Sequence, residues 1–542
     1  MKILPASLMM GLLAVSPVPV WTAKVGAASD VLYVSATDST CGGRSPCFRT
    51  IQAAVDAARD DDEIRVAAGT YSGLTSAMVG GNTYTQVVLI IKSVTLQGGY
   101  TTMDWETPDP AMNRTVIDAE RRGRGISIVG DGTQTVTVAG FTITNGDYTG
   151  LGNPPGVANQ VCARTGSDCG GGVFAYRVTL NLRDCTISNN IASRTRNFSD
   201  GGGVYLWQLN TGSRVENTTF IGNQAQAFGG EGGGMKITFG GSVAVANSRF
   251  EGNQAVGNGG GVFIFQPRGP VSFENSTFIG NIAGEDGGAL EARLTFEGTA
   301  LSLNRVIMRE NRARSQGAAI SLIKQGSADT TTVEMTNVVL AAHTVDSSGN
   351  FNSVVNVSGG SGGDFDLRLA HLTWANHSTL VALRVSASLG KRVTATLTNT
   401  LIDSAVAAYV GHQLDGEVHL RHTRTLTYRV GQLHAAEAGR PIFEAINPLL
   451  GNPRLDETAH LQPGSAAIDS GAASGVREDV DGDARPVGAG FDIGADEFTP
   501  PSTLSHPGKP QAQPTIQRPL DSLIHARLGC LRPCPREGIL GG

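Results

Sequence analysis

The stretch that decides the fold reads Val215-Glu-Asn-Thr-Thr-Phe-Ile-Gly-Asn223, and it recurs as Val245-Ala-Asn-Ser-Arg-Phe-Glu-Gly-Asn253 and Phe273-Glu-Asn-Ser-Thr-Phe-Ile-Gly-Asn281. A fourth copy ends at Asn311, so the final asparagines are 30, 28 and 30 residues apart. A glycine-rich element accompanies each copy. It lies at 170–172, 201–203, 232–234, 259–261, 287–288 and 317.

Each period contains short runs of alternating apolar residues that are bounded by Asn or Gly turns, which favours strands over helices. One such unit cannot bury its own apolar face, whereas stacked copies form a continuous core. The sequence therefore predicts an all-β, single-stranded, right-handed parallel β-helix of about 13 coils, each of about 30 residues. We expect the repeated Asn to adopt a left-handed conformation at one turn and to hydrogen-bond its counterpart in the next coil.

Composition restricts the class of partner and the compartment. The 542 residues include 71 Gly, carry a net charge of −6 and contain no Lys/Arg run, which argues against nucleic acid. Residues 1–28 are predicted to be a signal peptide, because Met1-Lys2 precedes an apolar run and small residues. No later segment reaches 18 uninterrupted apolar residues, so we expect no transmembrane segment in the mature chain. The expected organisation is a β-helix with both caps over 29–498 and a disordered, proline-rich tail over 499–542.

The seven cysteines agree with a secreted or cell-surface protein. Two pairs are close enough in sequence to form local disulfides, Cys41 with Cys47 and Cys162 with Cys169. Cys530 and Cys534 form a third close pair in the tail. Cys185 is left over in a strand-like segment and is expected to be a buried free thiol. Because the pairs lack metal-ligand spacing, no zinc site is predicted from them.

Three segments carry a resemblance to known families. Residues 50–58 and 62–71 resemble the amphipathic helix and first strand that open pectin-lyase-like β-helices. The Phe-x-Gly-Asn-x-Ala…Gly-Gly units resemble polymorphic outer-membrane-protein repeats. Residues 461–469, 479–486 and 492–498 are similar to the choice-of-anchor Q ending of surface β-helix proteins. The resemblance implies a carbohydrate-active or surface-adhesive role.

The site constellations of related enzymes are not found in the sequence. The carboxylate pairs of pectin methylesterases and polygalacturonases are missing, and no cluster of Asp with Arg resembles that of a pectate lyase. Gly411-His412-Gln413 is better explained as a turn with a hydrogen-bonded histidine. His419 and His422 are three residues apart in a strand-like run, so they point to opposite faces and are poor joint metal ligands.

One outward-facing strip gathers most of the unusual side chains. The strand after each glycine element has one residue that is expected to point inward, namely Val173, Val204, Met235, Val262, Leu290 or Ile320. The residue that follows it and the one two places further on then point outward. These positions form two columns, which are Phe174, Tyr205, Lys236, Phe263, Glu291 and Ser321, and Tyr176, Trp207, Thr238, Phe265, Arg293 and Ile323. We call these two columns the outer strip.

The six aromatic residues of the outer strip, Phe174, Tyr176, Tyr205, Trp207, Phe263 and Phe265, are predicted to bind sugar rings. Polar residues before the glycines add an edge of Asp200, Glu231, Asn258 and Asp286. The alternative is that residues 147–168 and 191–199 cover the strip as a second small core.

A catalytic role is a further hypothesis for the same strip. Glu291 with Arg293 and Lys236, or Asp200 with Glu231, would supply an acid or base and a charge partner for elimination or hydrolysis. No cofactor is predicted. Calcium at Asp479, Asp481 and Asp483 is a weaker possibility than a structural cap in which Arg485 pairs with Asp492 or Glu497.

The function predicted from these residues is binding of an extracellular polysaccharide or cell-surface glycan along the aromatic strip. Two alternatives remain open, a polysaccharide lyase or glycosidase acting on the same face, and an adhesin or spacer without catalysis. The identity of the glycan, the mode of anchoring and the oligomeric state do not follow from the sequence.

Overall fold

The computed structural model describes residues 30–195, 198–295, 300–326, 330–348, 352–360 and 363–500. The predicted signal peptide, Cys530 and Cys534 lie outside the described residues. The chain separates into two units, Met1–Phe498 and Thr499–Gly542, and every element given below belongs to the first.

The N-terminal coils contain the one α-helix of the described residues, α1 (Ile51–Ala57), at the position where the sequence predicts a capping helix. Thr50 begins it, because its side chain accepts a hydrogen bond from the backbone N–H of Ala53. The strands are β1 (Val31–Val34), β2 (Cys47–Phe48), β3 (Asp62–Ala67), β4 (Gly69–Tyr71), β5 (Thr75–Val79), β6 (Asn82–Ile90), β7 (Val94–Tyr100), β8 (Thr115–Asp118) and β9 (Arg124–Val129).

The middle coils consist of short strands separated by tight turns. They are β10 (Thr135–Ala139), β11 (Phe141–Thr144), β12 (Ser167–Cys169), β13 (Val173–Tyr176), β14 (Thr179–Arg183), β15 (Thr186–Ser188), β16 (Phe198–Asp200), β17 (Val204–Trp207), β18 (Ser213–Glu216), β19 (Thr219–Ile221), β20 (Gln224–Ala225), β21 (Met235–Thr238), β22 (Val243–Ala246), β23 (Arg249–Glu251), β24 (Gln254–Ala255), β25 (Val262–Phe265), β26 (Val271–Ile279) and β27 (Ile282–Ala283).

In the C-terminal coils the strands lengthen, because strands that are separate in earlier coils run on without a break. They are β28 (Leu290–Leu294), β29 (Ala300–Arg309), β30 (Arg312–Ala313), β31 (Ile320–Lys324), β32 (Thr331–Ala341), β33 (Thr344–Val345), β34 (Ser353–Gly359), β35 (Phe365–Ala387), β36 (Arg392–Gln413), β37 (Glu417–Ala438), β38 (Ile442–Ile446) and β39 (Leu449–Leu450).

The strands stack in parallel register from coil to coil, which confirms the predicted all-β parallel β-helix. The stack that carries the outer strip runs through β6, β9, β13, β17, β21, β25, β28, β31 and β34. A second stack runs from β3 through β7, β10, β14, β18 and β22 into the first half of β26. Among the described strands, only β5 and β6 pair in an antiparallel manner.

The interior is filled by the inward-facing residues of all stacks. Val173, Val204 and Met235 occupy equivalent positions one coil apart, and each is completely buried. The repeated phenylalanines stack on one another as well, with ring centroids 4.5 Å apart for Phe220 and Phe250. A continuous core of this kind is what a solenoid needs, because each coil contacts only its neighbours.

The predicted asparagine ladder is present, and it crosses five coils. Its members are Asn190, Asn223, Asn253, Asn281 and Asn311, all completely buried. Each Nδ2 donates to the Oδ1 of the next asparagine at 2.9–3.0 Å. The same Oδ1 also accepts the backbone N–H of the preceding asparagine at 2.9–3.1 Å.

The left-handed conformation predicted for the ladder asparagines belongs instead to the residue before each of them. The φ angles are 55° at Asn189, 63° at Gly222, 59° at Gly252, 61° at Gly280 and 55° at Glu310. Since this preceding residue turns the chain, the asparagine that follows is free to direct its amide into the interior. The prediction assigned both roles to one residue, and in that respect it was wrong.

The ladder ends on two stacked histidines. The backbone N–H of Asn311 donates to Nδ1 of His343 at 3.0 Å. His377 stacks on His343 one coil later, with ring centroids 5.4 Å apart and planes inclined by 14°. Burial lowers the pKa of His343 to about 3, so the ring is neutral in the folded protein at physiological pH.

Residues 451–498 form a segment that lies along the side of the coils, and we call it the C-terminal strap. Its Ala459, Val480 and Ala495 pack against Val339 and Ala341. The segment also hydrogen-bonds to distant coils, as in the 2.9 Å bond from the Ala495 backbone N–H to Thr373 Oγ1. It therefore connects coils that do not contact each other.

Within the strap, Arg485 pairs with Glu497 at 2.7 Å, and both side chains are completely buried. This confirms the pairing that was expected for a structural cap. Asp479 anchors the loop that follows it, because its Oδ1 accepts the backbone N–H groups of Asp481 and Asp483. Its Oδ2 accepts the N–H of Glu497. The Asp-x-Asp-Gly-Asp spacing is thus explained by a hydrogen-bonded loop.

Candidate functional site

The register of the outer strip agrees with the prediction at every step. Phe174, Tyr205 and Lys236 are direct neighbours across β13, β17 and β21. Phe263, Glu291 and Ser321 continue this column through β25, β28 and β31. The second column runs in the same way through Tyr176, Trp207, Thr238, Phe265, Arg293 and Ile323.

The predicted exposure of the aromatic residues is wrong. Phe174, Tyr205 and Phe263 are completely buried and Trp207 is 2% exposed, while Tyr176 and Phe265 are half-buried. They face outward from the sheet, as the alternation requires, but another part of the chain covers most of them. An open aromatic binding face is therefore not present in the first half of the strip.

The cover comes from the long connection between β11 and β13, as the alternative interpretation supposed. Its Tyr148, Val161 and Cys162 form a second hydrophobic cluster with Phe174 and Tyr205. The disulfide Cys162–Cys169 closes this connection, and the disulfide Cys41–Cys47 is also formed. Cys185 is a free, buried thiol, and burial raises its pKa to about 12.

Arg124 contacts both the covering connection and the sheet below it. The sequence analysis did not single out this residue. Its guanidinium lies 3.5 Å from the ring centroid of Tyr148 and 4.4 Å from that of Phe174. Its Nε and Nη2 donate to the carbonyl oxygen of Cys169 at 3.0 and 2.9 Å. The sequence offers no signal for this role, because the complete burial of Arg124 at the start of β9 is visible only in the structure.

The five charged residues predicted as catalytic candidates lie on three coils in the middle of the strip, those that carry Tyr205, Lys236 and Glu291. Lys236 Nζ lies 2.7 Å from Asp200 Oδ1 and 2.6 Å from Glu231 Oε2. Asp200 and Glu231 stand one coil apart at the strand edge. Arg293 Nε lies 2.7 Å from Glu291 Oε1. Their places in this column follow from the repeat, with the coil of Phe263 between Lys236 and Glu291.

Arg164 joins this group from the covering connection, which the sequence did not predict. Its Nη2 lies 2.5 Å from Glu231 Oε2, although the two residues are 67 positions apart. Burial raises the pKa of Glu231, while Lys236 and Arg164 lower it by more, so the net shift is downward. Glu231 is therefore held as a carboxylate between two cations.

Glu291 has the opposite electrostatic character. Burial raises its pKa to about 8, against the opposing effect of Arg293. Its Oε2 has no hydrogen-bond partner in the described structure. The nearby Asp286 also raises the pKa of Glu291 by charge repulsion. Burial raises the pKa of Asp286 itself. At neutral pH the Glu291 carboxyl group therefore carries a proton, which is what a general acid requires.

Aromatic rings and cations alternate around Phe265. Its ring centroid is 5.5 Å from the guanidinium carbon of Arg164 and 5.9 Å from Lys236 Nζ. Arg293 lies 5.2 Å from the neighbouring Phe263 ring. The side chains of Arg164 and Arg293 are 25% and 24% exposed, whereas those of Glu231 and Glu291 are 6% and 0% exposed. Cations and a ring thus reach the surface, and the carboxylates lie below them.

The histidines singled out from the sequence have structural roles. His412 Nδ1 lies 3.0 Å from Glu437 Oε2, so it is hydrogen-bonded as expected, although in strand β36 rather than in a turn. The side chain of His419 is 39% exposed and His422 is completely buried, which confirms that they face opposite ways. His422 contacts His434 through their Nε2 atoms at 2.8 Å.

Comparison with known proteins gives distant structural similarity. No family model matches the sequence. No curated protein matches it either. Among solved structures, pectate lyase Pel9A is 14% identical over 88% of this chain and 98% of the other, with a TM-score of 0.43. At this level of similarity neither activity nor substrate transfers between the two proteins. The chain is a parallel β-helix protein with a charged, partly covered strip on one outer face.

Proposed function

We propose that the chain binds an extracellular polysaccharide that carries carboxylates, at the surface formed by Arg164, Phe265 and Arg293. The supporting observation is the order of the side chains, in which two guanidinium groups and a ring reach the surface above buried carboxylates. An aromatic face stacks on the apolar face of a sugar ring, and a guanidinium group binds a carboxylate through two parallel hydrogen bonds. This surface is smaller than the strip predicted from the sequence.

Retention on an immobilised polysaccharide tests this proposal. Wild-type protein should be retained on polygalacturonate and released by salt, and it should pass through a neutral glucan column. Arg164→Gln with Arg293→Gln should abolish retention, because both exposed cations are removed. The control is Arg214→Gln, which removes a 64% exposed arginine from another face. If Arg214→Gln loses retention to the same extent, or if wild-type protein is not retained at all, the proposal is contradicted. The adhesin or spacer alternative would then remain.

A second candidate function, cleavage of the same polysaccharide, rests on Glu291. Burial raises its pKa to about 8 in spite of its contact with Arg293, so the carboxyl group is protonated at neutral pH. Binding is proposed first because the Glu291 side chain has no exposed surface. Glu291→Gln should preserve retention and abolish release of unsaturated uronates or reducing ends. Absence of both products with wild type would exclude cleavage of that substrate.

We further infer that the protein works outside the cytoplasm. Two disulfides support this inference, since such bonds persist in oxidising compartments. The described residues contain no helix that is long and apolar enough to cross a membrane. The signal peptide, the outer-membrane-type repeats and the choice-of-anchor Q-like ending stay predictions. N-terminal sequencing of native protein should begin near residue 29, and a native chain that retains Met1 would contradict the signal peptide.

A further inference from the structure

Three potential metal ligands from separate parts of the C-terminal strap lie side by side. They are His460, Asp481 and Asp496, and one donor atom from each lies within 4.8 Å of the other two. His460 Nε2 is 2.8 Å from Asp481 Oδ2. The set combines an imidazole nitrogen with two carboxylate oxygens, which distinguishes it from an ordinary cluster of surface acids.

Backbone hydrogen bonds hold the two carboxylates in place. Asp496 Oδ2 accepts the backbone N–H of Leu461 at 2.7 Å, which keeps this carboxylate next to His460. The backbone N–H of Asp481 donates to Asp479 Oδ1 at 2.9 Å. The two carboxylates are thus positioned by the fold of the strap rather than by contact with each other.

The orientation of His460 is fixed from its other side. Its Nδ1 lies 2.6 Å from Thr458 Oγ1, and that hydroxyl donates to Asp456 Oδ1 at 2.7 Å. Because the hydroxyl hydrogen is used by Asp456, the Thr458 oxygen accepts from Nδ1–H. Nε2 then points at Asp481 Oδ2 and donates its hydrogen to that carboxylate, so a cation that binds between the two atoms takes the place of this hydrogen. Metal-binding histidines are oriented in the same way by a partner on the second nitrogen.

We propose that His460, Asp481 and Asp496 bind one zinc ion. Zinc accepts imidazole and carboxylate ligands and tolerates three protein ligands with a fourth position open to water. Calcium is disfavoured, because it takes six to eight oxygen ligands. The side chains of His460 and Asp481 are 26% and 47% exposed, so an ion can enter from solvent. The ion would fasten three segments of the strap to one another.

Calorimetric titration of the full chain with zinc chloride, after removal of metals with a chelator, tests the proposal. We expect one zinc ion per chain and a melting temperature that rises with zinc concentration. His460→Asn and Asp481→Asn should each weaken binding at least tenfold. Thr458→Val should weaken it about tenfold as well, because the histidine loses its orienting partner.

Two controls separate this site from other zinc ligands in the chain. His419→Asn removes a histidine that lies 3.7 Å from Glu417 on a different face, and it should leave zinc binding unchanged. Cys530→Ser with Cys534→Ser removes the tail cysteines and should also leave it unchanged. No zinc binding, binding that survives His460→Asn, or binding lost with the cysteines would overturn the proposal. None of these outcomes depends on polysaccharide binding.

Discussion

Asn253 shows how much one ladder residue contributes to the fold. Its Nδ2 donates to Asn281 Oδ1 and to the Phe220 carbonyl, each at 3.0 Å. Its Oδ1 accepts the backbone N–H and the Nδ2 of Asn223. The side chain therefore satisfies groups on the coils before and after its own, at a depth where no water replaces them.

Asn253→Ala should lower the free energy of unfolding by about 1–3 kcal/mol, because it leaves buried donors and acceptors without partners. Thermal or urea unfolding measures this change. The matched control is Gln254→Ala, which truncates the exposed side chain of the next residue and should be nearly neutral. Equal effects of the two substitutions would contradict a structural role for the ladder.

Glu291 gives a pH-dependent prediction at the same scale. Its pKa is about 8 in the folded protein, against an ordinary value of 4.5. Between these values the folded state binds a proton that the unfolded state has lost, so this group makes stability fall as pH rises. Glu291→Gln removes that dependence. The melting temperature of the variant minus that of wild type should therefore increase from pH 5 to pH 8.5. A difference that stays constant over this range would contradict the raised pKa.

At the scale of elements, the covering connection determines what the outer strip can do. Tyr205 is completely buried beneath it, and its ring stacks 6.0 Å from that of Phe174. Tyr205→Ala should cost about 3–5 kcal/mol of stability, because it leaves a cavity in the second hydrophobic cluster. Calorimetry measures the loss. Phe228→Ala is the control, since Phe228 is an aromatic residue that is 79% exposed. A melting temperature unchanged by Tyr205→Ala would mean that the strip is open in solution.

The same elements explain which parts of the site could be predicted. The period of the repeat places Lys236, Glu291 and Arg293 on one face, and strand alternation makes them point outward. That these three side chains lie near each other can therefore be predicted from the sequence. Arg164 could not be placed in this way, because the connection that carries it has no repeat. The burial of Tyr205 could be given only as an alternative for the same reason, since alternation determines the face of a strand but not what covers that face.

For the whole molecule, buried histidines control the response to acid. Burial lowers the pKa of His343 and His371 to about 3 and that of His422 to about 4, and it lowers that of His377 well below 6.5. Below pH 6.5 the unfolded chain gains protons that the folded chain does not accept, so stability falls as pH falls. Four carboxyl groups with raised pKa values, Glu291, Asp286, Asp492 and Asp496, act in the opposite direction and offset part of this fall.

The contribution of the buried histidines should therefore lower the melting temperature from pH 6.5 to pH 4, as measured by calorimetry in buffers of equal ionic strength. His343→Asn should reduce this decrease. It removes one buried imidazole and supplies an amide that accepts the hydrogen bond from the Asn311 backbone. A variant with the same acid dependence as wild type would exclude His343 as a contributor.

The strap has a consequence for the order in which the molecule is completed. Arg305 bonds to Glu478, 173 positions later, and Asn399 bonds to Ala472, 73 positions later. In a ribosome-bound or translocating chain, these later residues emerge after the coils that they contact. Coils that have already stacked therefore contact only their neighbours until the C-terminal strap is synthesised and binds along their side. A nascent chain halted near residue 450 would lack the contacts of the strap with those coils. In that state it should be cleaved by proteases more readily than the complete chain.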